Sequence, residues 1–394
     1  MPAFTLAALL CLSDLAELTE PKPYHLNATY YGETWHNLKG GLSSGTAFLD
    51  KLDLSAGLDA GKLFGLNGVT FFTRAFYANG HAVSGDLVGD IQTVSNIETL
   101  RSVRVFELWS EWRLGAGGSS TRVGLYDLNS EFDTLPTAQV FLNASQGIGK
   151  DVSQSGKMGP SIYPVSSFGM RTIWKIAEEW SAQLAILDGV PGDPNDPTST
   201  AVHISTKDGA LLVGEADYID DVIHKIAVGA WHYTAQFDTI GTGTSNTPAA
   251  TQNGNSGFYG MIDLTLSPPS GELASRLDGF IRLGYADADV NRFGTFAGAG
   301  LVYSGFLARE DRLGLGVAMV RNGAAYRQAV QLLGDPQTLA ETNIEASWAF
   351  PVNSWLTLQP DLQYVINPNT DPTLQNDLVA GLRAQISWDS SSHH

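Results

Sequence analysis

Residues 131–171 read EFDTLPTAQVFLNASQGIGKDVSQSGKMGPSIYPVSSFGMR, and they form the longest segment in the first half of the chain without clean polar–apolar alternation. The segment is rich in Gly, Ser, Asn and Gln, yet it also carries Phe141, Ile148, Met158 and Tyr163. A solvated linker has no need of these apolar side chains, so we interpret the segment as a long loop that packs against the protein. Because strand-like segments flank it, we expect a loop that folds back into a β-barrel.

Alternation with a period of two residues is the dominant pattern from Tyr24 onward. In residues 51–59, leucine and alanine fall on one face and charged or small residues on the other, as in a half-polar strand. About sixteen segments show this pattern, and each is near or above the ~9–11 residues that cross a bilayer at a tilt. The segments are 24–37, 51–59, 68–79, 101–114, 121–129, 165–177, 180–189, 209–219, 222–234, 257–267, 276–286, 296–307, 312–321, 341–350, 355–366 and 378–388.

The links between these segments alternate between short and long. Short links lie near 63–67, 115–120, 178–179, 220–221, 267–275, 308–311 and 351–354, and longer links span 80–100, 131–164, 190–208, 235–256, 322–340 and 367–377. A transmembrane barrel produces this alternation through tight periplasmic turns and extended outer loops, whereas a soluble sandwich has no reason to obey it. We therefore predict an all-β fold over residues 24–388: a transmembrane antiparallel β-barrel of about sixteen strands, with long outer loops, one folded into the lumen.

The predicted barrel also assigns the two faces of each strand. A closed cylinder of about sixteen strands encloses a lumen wide enough for water, so the polar face lines the lumen and the apolar face meets lipid. Aromatic residues near the strand ends fit interfacial girdles, although aromatics favour strands in general. These residues are Tyr24, Trp35, Trp112, Trp180, Trp348, Tyr364 and Trp388.

The composition excludes several function classes. The net charge is −18 with 23 Lys and Arg in 394 residues, which disfavours a nucleic-acid partner. The single cysteine, Cys11, allows neither an internal disulfide nor a CxxC metal site. No GxSxG, HExxH or P-loop motif occurs, and we expect no cofactor and no metal. The acidic stretch 188–200 could bind Ca²⁺ through oxygen ligands, but it lacks EF-hand spacing and is better explained as a solvated outer loop.

Both ends of the chain fall outside the predicted barrel. Residues 3–12 are similar to the apolar core of a signal peptide but lack a basic region before it. Residues 1–23 are therefore interpreted as a cropped leader or as a short periplasmic or plug segment. The tail 389–394 ends in SSSHH and is interpreted as tag-like.

Three stretches resemble the OprB-type carbohydrate-selective porins. VFLNASQGIGKDVSQSGKMGPSIYPVSSFGMR (140–171) resembles their signature, LQPDLQYVINP (358–368) their motif near the C-terminus, and TRVGLYDLNSEFD (121–133) the strand before their third outer loop. The resemblance implies a sixteen-stranded channel in the outer membrane of a Gram-negative bacterium, embedded in lipid and lipopolysaccharide. It implies that the third loop narrows the pore and that neutral sugars cross by diffusion. Whether the protein is a monomer or a homotrimer stays open.

A sugar channel needs polar groups beside aromatic rings at its narrowest point, because sugars offer both hydroxyl groups and apolar C–H faces. Residues 101–114 predict this mixture on one face of a strand, with Phe106 on the opposite face. The lumen face carries Glu107, Trp109, Glu111 and Arg113. The resemblance implies an eyelet of Arg, Glu and Trp side chains, best matched by Arg74, Glu107, Arg122 and Trp109.

Further candidates extend this site. Tyr126 and Arg171 share the predicted lumen face of their strands, while Asn143 and Gln146 of the long loop either contact sugar or hold the loop to the wall. Paired Arg and Glu also line any wide barrel simply to keep it solvated, which is the alternative explanation for each charge.

Two other functions are weighed against a sugar porin. The negative net charge would suit a general or cation-preferring porin, since acidic lumens concentrate cations. A soluble carbohydrate-active enzyme or lectin is the third alternative. The acid pair Glu107 and Glu111 lies ~13 Å apart on a strand, beyond the usual spacing in inverting glycosidases, so we predict no enzyme.

Overall fold

The computed structural model describes residues 22–243, 248–335 and 337–390. In this part of the chain sixteen antiparallel strands form a closed barrel, in which each strand pairs with its neighbours in sequence and the first pairs with the last. The predicted fold class is confirmed. The strands are β1 (Tyr24–Lys39), β2 (Gly45–Asp59), β3 (Val69–Ala78), β4 (Ser102–Leu114), β5 (Ser119–Tyr126), β6 (Ser167–Lys175), β7 (Trp180–Asp188), β8 (Ala210–Tyr218), β9 (Ile223–Asp238), β10 (Thr251–Ser270), β11 (Ser275–Ala286), β12 (Phe293–Ser304), β13 (Arg312–Asn322), β14 (Ala340–Pro351), β15 (Leu356–Ile366) and β16 (Asp377–Asp389).

The barrel wall has apolar side chains outside and polar side chains inside. In β11, Ile281 and Leu283 are 55% and 59% exposed, whereas Asp278 and Arg282 on the other face are buried. Closure pairs the edge strands, so the backbone groups of the wall are satisfied as hydrocarbon demands. No helix of the described residues is long and apolar enough to cross a bilayer.

The links at the two ends of the barrel differ in length. One end carries the links 60–68, 115–118, 176–179, 219–222, 271–274, 305–311 and 352–355, and the other carries 40–44, 79–101, 127–166, 189–209, 239–250, 287–292, 323–339 and 367–376. By the usual arrangement the first end is periplasmic and the second is the outer end. Besides the link 127–166, two of the described links contain α-helices, α1 (Ala60–Phe64) and the longer Ala324–Leu332. The link predicted at 235–256 is shorter, because β10 continues past a bulge between Asn253 and Asn255 that breaks its alternation.

The third outer loop, residues 127–166, folds into the lumen. It contains the short helices α2 (Ala144–Gly147) and α3 (Lys150–Ser153). Its apolar side chains, such as Phe141 and Ile148, pack on inward-facing apolar side chains of β7–β12, which lie there among charged ones such as Arg282. This packing explains the apolar residues that the loop sequence carries, except Met158, which is 55% exposed. The loop covers this stretch of wall, so the expectation that only polar side chains face the lumen fails there.

The second outer loop, residues 79–101, also turns inward, and the prediction of one inward loop is incomplete. Its Val83, Val88 and Val94 pack with inward-facing side chains of β1 and β2. The backbone N–H groups of its residues 91 and 92 donate to the carboxylate of Glu341 on β14 at 2.9–3.0 Å. The N–H of Asn96 donates to the carbonyl of residue 142 at 2.7 Å, which joins this loop to the third loop.

Trp35 lies inside the barrel, and its assignment to an interfacial girdle is wrong. It is fully buried, and its Nε1 donates to Oε2 of Glu33 at 2.6 Å. Trp35 and Glu33 are two residues apart on one strand, so they share the lumen face. By contrast, Trp112 and Trp388 lie on the outer surface and are 40% and 52% exposed.

Phe106 also lies inside, contrary to the prediction. A β-bulge in β4 pairs Glu107 with Arg74 and Val105 with Ala75, which leaves Phe106 without a partner in β3. The extra residue shifts the alternation, so Phe106 and Glu107 both point into the barrel. Phe106 is 1% exposed and packs edge-on against Tyr163 of the third loop.

Parts of the predicted terminal segments are not described. The segment 1–23, with Cys11, lies outside the described residues up to position 21, and the tail 389–394 lies outside them from position 391. The wall itself ends at Asp389, where the N–H of Ser390 donates to the carbonyl of Leu26 at 2.9 Å.

Candidate constriction site

The charged side chains on the inner wall of β2, β3 and β4 pair with one another. Asp53 accepts from Lys51 at 2.7 Å and from Nε of Arg74 at 2.8 Å. Nη1 of Arg74 lies 3.9 Å from Glu107, its register partner in β4. The side chain of Arg74 is 30% exposed, whereas those of Lys51, Asp53 and Glu107 are almost fully buried. The predicted pair of Arg74 and Glu107 is thus brought together, and Lys51 and Asp53 join it.

A second ionic cluster fastens the start of the third loop to β4, β5 and β6. Glu131 of the loop accepts from Nε of Arg171 at 2.6 Å and lies 3.3 Å from Nη2 of Arg122. Glu111 of the wall accepts from Arg122 at 2.7 Å and from Arg171 at 3.4 Å. Tyr126 donates its hydroxyl to Glu131. Arg171 and Tyr126 are each 1% exposed, so these predicted site residues lie beneath the loop.

Trp109 is enclosed by its neighbours. The ring of Phe72 on β3 stacks on it with centroids 4.8 Å apart, and the guanidinium of Arg122 on β5 lies 3.7 Å from the ring centroid. Because β3 and β5 flank β4, these two side chains cover opposite faces of the Trp109 ring. Nε1 of Trp109 donates to Glu107 at 3.1 Å. What Trp109 presents to the lumen is its edge.

Arg113 lies at the periplasmic end of β4. It pairs in register with Ser120, its backbone N–H donates to the carbonyl of Gly68 at 2.8 Å, and its side chain is exposed. Arg113 is therefore separated from the Arg74 pair by about half of the strand.

Asn143 and Gln146 lie between the third loop and the wall. Asn143 is 1% exposed, donates from Nδ2 to Gln363 at 3.1 Å, and accepts the N–H of Ser145 at the start of α2. Gln146 is 4% exposed. In this structure both residues lie in the loop–wall contact, and the alternative role as sugar contacts stays a prediction.

Sequence reasoning missed several charged residues of the third loop. Asp133 and Asp151 both pair with Arg282 of β11. Burial raises the pKa of Asp133 to about 6, although the Arg282 guanidinium opposes the shift. Burial and the nearby Glu107 carboxylate raise the pKa of Asp127 to about 7. The sequence did indicate these residues, since acidic side chains in a loop that packs against the protein need partners.

The acidic outer loop shows local hydrogen bonding. Asp193 accepts the N–H of Asn195 at 2.9 Å, and Asp196 accepts that of Thr198 at 3.2 Å, as in turns that side chains stabilise. Within the described ranges no group of three His, Cys, Asp or Glu side chains is placed to hold a metal ion.

The described strands form a closed sixteen-stranded barrel with an apolar exterior and with loops packed in its lumen. This is the architecture of an outer-membrane porin of Gram-negative bacteria. The family model for carbohydrate-selective porins of the OprB family matches residues 43–388, and the chain belongs to this family.

Individual relatives agree with this assignment. Porin B of Pseudomonas aeruginosa is 24% identical over 407 residues, which cover 94% of this chain and 88% of the relative. The high-pH structure of Pseudomonas putida OprB superposes with a TM-score of 0.82 at 21% identity, covering 93% of this chain and 94% of that one. Salmonella typhi OmpF, in complex with daunomycin, has the same fold with a TM-score of 0.58 at 10% identity, covering 93% and 97%.

Proposed function

We propose that this porin conducts neutral mono- and small oligosaccharides by passive diffusion through a constriction bounded by Arg74 and Glu107. The charge pairing along the inner wall carries the proposal. Asp53 is matched by two cations, Lys51 and Arg74, and Arg74 also approaches Glu107. Paired charges offer hydrogen bonds to hydroxyl groups without creating a strong net electric field. A neutral solute therefore replaces its hydrogen bonds to water with hydrogen bonds to protein at little cost in free energy.

Five of the other residues predicted for the site have supporting roles in this proposal. Glu111, Arg122, Tyr126 and Arg171 hold the third loop, and the loop narrows the lumen from the opposite side. Asn143 fastens the far part of the same loop. Each barrel encloses its own constriction, so the proposal holds for a monomer and for a homotrimer.

Liposome swelling with glucose, maltose and raffinose tests the proposal. We expect wild-type protein to admit glucose fastest, and Arg74→Ala and Glu107→Ala to change the rates several-fold. Arg309→Ala, in an exposed periplasmic turn, is the matched control and leaves the rates unchanged. Swelling rates that are equal for all solutes, or unchanged in both site variants, would contradict the proposed constriction.

The alternative is a cation-preferring porin, which the net charge of −18 favours. The reversal potential across a planar bilayer with a salt gradient decides between the two functions. Strong cation selectivity, with a conductance that glucose does not reduce, would support the alternative.

A further inference from the structure

The geometry points to a sugar-stacking subsite on the ring of Phe72, above Gly57, immediately periplasmic of Arg74. The inference rests on the proposed function and deepens it, because it names the surface on which a cyclic sugar lies. The ligand class is a neutral pyranose, whose flat C–H face stacks on an aromatic ring.

The stack of three side chains selects Phe72 rather than Trp109. Both faces of the Trp109 ring are covered, one by Phe72 and the other by Arg122, so no sugar can lie on them. Phe72 ends the stack, and its second face points toward β2. Phe72 is partly exposed, and its other face is supported by Trp109 at 4.8 Å. The stack therefore offers a rigid aromatic platform.

Gly57 leaves open space in front of this platform. It is the register partner of Phe72 in β2 and of His25 in β1, so all three positions belong to the lumen face. A Cβ added at Gly57 would meet no heavy atom within 4 Å, and the backbone there lies outside the left-handed region. The backbone conformation does not require glycine at this position. The absence of a side chain at Gly57 instead leaves open space in front of the Phe72 ring. Directly opposed residues in a sheet normally fill this space with contacting side chains.

Polar groups stand around the same space. Ser55, the next lumen-facing residue of β2 toward the outer end, pairs in register with Arg74. On the far side of Gly57, Nε2 of His25 lies 3.1 Å from Asp389. An aromatic face bordered by a hydroxyl, a guanidinium and an imidazole matches a pyranose, which has an apolar face and a rim of hydroxyl groups.

Current-block titration in planar bilayers tests the subsite, with glucose as the cyclic probe and sorbitol as an acyclic polyol without a flat C–H face. We expect Phe72→Leu and Gly57→Leu to raise the half-saturation concentration for glucose about three- to tenfold and to leave that for sorbitol unchanged. Phe72→Tyr keeps the ring, so it keeps the wild-type value. Heat-modifiable mobility in gels first establishes that each variant is a closed barrel.

Two controls match the two variants. Phe76→Leu removes a lumen-facing ring of the same strand that is 2% exposed, and Gly117→Leu fills open space in a periplasmic turn. Both keep the wild-type half-saturation concentration. If wild-type protein shows neither glucose block nor glucose uptake, the proposed function fails and the subsite with it. If glucose blocks the wild type but Phe72→Leu and Gly57→Leu titrate like it, or the controls shift equally, the subsite alone is overturned.

Discussion

Arg282 of β11 forms a bidentate ion pair with Asp133 of the third loop, with Nε–Oδ1 and Nη2–Oδ2 distances of 2.8 and 2.7 Å. The same guanidinium donates to Asp151 at 2.6 Å. All three side chains are nearly fully buried, so one cation of the wall holds two acidic residues that lie far apart along the loop. The ion pairs thus close the loop into a fixed shape on the wall.

Replacing Arg282 should release the third loop. Arg282→Met leaves Asp133 and Asp151 buried without their cation, a loss that costs about 3–5 kcal/mol of loop docking. We expect a higher single-channel conductance and faster raffinose uptake, because the loop no longer holds the lumen narrow. Arg276→Met is the control, since Arg276 lies on the same strand but is 38% exposed and pairs with Asp278. Equal conductance for the two variants would refute the role of Arg282.

The second loop should dock more tightly in acid. Burial raises the pKa of Glu98 to about 7, and its carboxylate accepts the N–H groups of Val83 and Ser84 within the loop. A raised pKa means that the docked loop binds the proton more tightly than the free loop does. The docking is therefore strongest below the ordinary pKa of about 4.3 and weakens as the pH rises to about 7.

Open-channel current noise in planar bilayers checks this pH dependence. We expect less noise at pH 5 than at pH 7.5, and a smaller difference in Glu98→Gln, whose side chain carries no charge at either pH. Noise that increases on acidification would contradict the prediction.

The two tryptophans Trp35 and Trp388 should respond differently to truncation. Trp35→Ala removes a fully buried ring against which the second loop packs, and should destabilise the fold by about 3–5 kcal/mol. Trp388→Ala removes a ring that is half exposed on the outer surface and should cost much less. Urea unfolding in lipid vesicles, followed by fluorescence, measures both. Similar losses of unfolding free energy in the two variants would contradict the buried, loop-supporting role of Trp35.

Arg74 should set the ion selectivity of the constriction. Arg74→Ala leaves Asp53 with Lys51 alone and removes the cation nearest Glu107, so the wall gains net negative charge. We expect the reversal potential in a KCl gradient to shift toward cation selectivity. Lys51→Met should shift it in the same direction, because it removes the other partner of Asp53. A shift toward anions in either variant would be incompatible with the described pairing.

The barrel was predictable from sequence because its signal is local: each strand alternates by itself, as in β11, where Ile281 and Leu283 face lipid. Phe106 was misplaced because a bulge depends on the partner strand, and nothing within 101–114 marks the extra residue. The second loop was missed because its apolar residues, such as Val83 and Val94, lack any period. The stack of Phe72 on Trp109 requires the register of two strands, which single-strand patterns do not contain.

The two inward loops share a short backbone ladder, in which Asn96 donates to Leu142 at 2.7 Å and Ala144 donates to Thr93 at 2.9 Å. These backbone hydrogen bonds make the lengths of the two loops interdependent, because an insertion in either loop would move its residues out of register with the other loop. Diversification of solute preference on this scaffold is therefore expected to proceed by exchange of single wall residues, while insertions accumulate in the remaining surface loops.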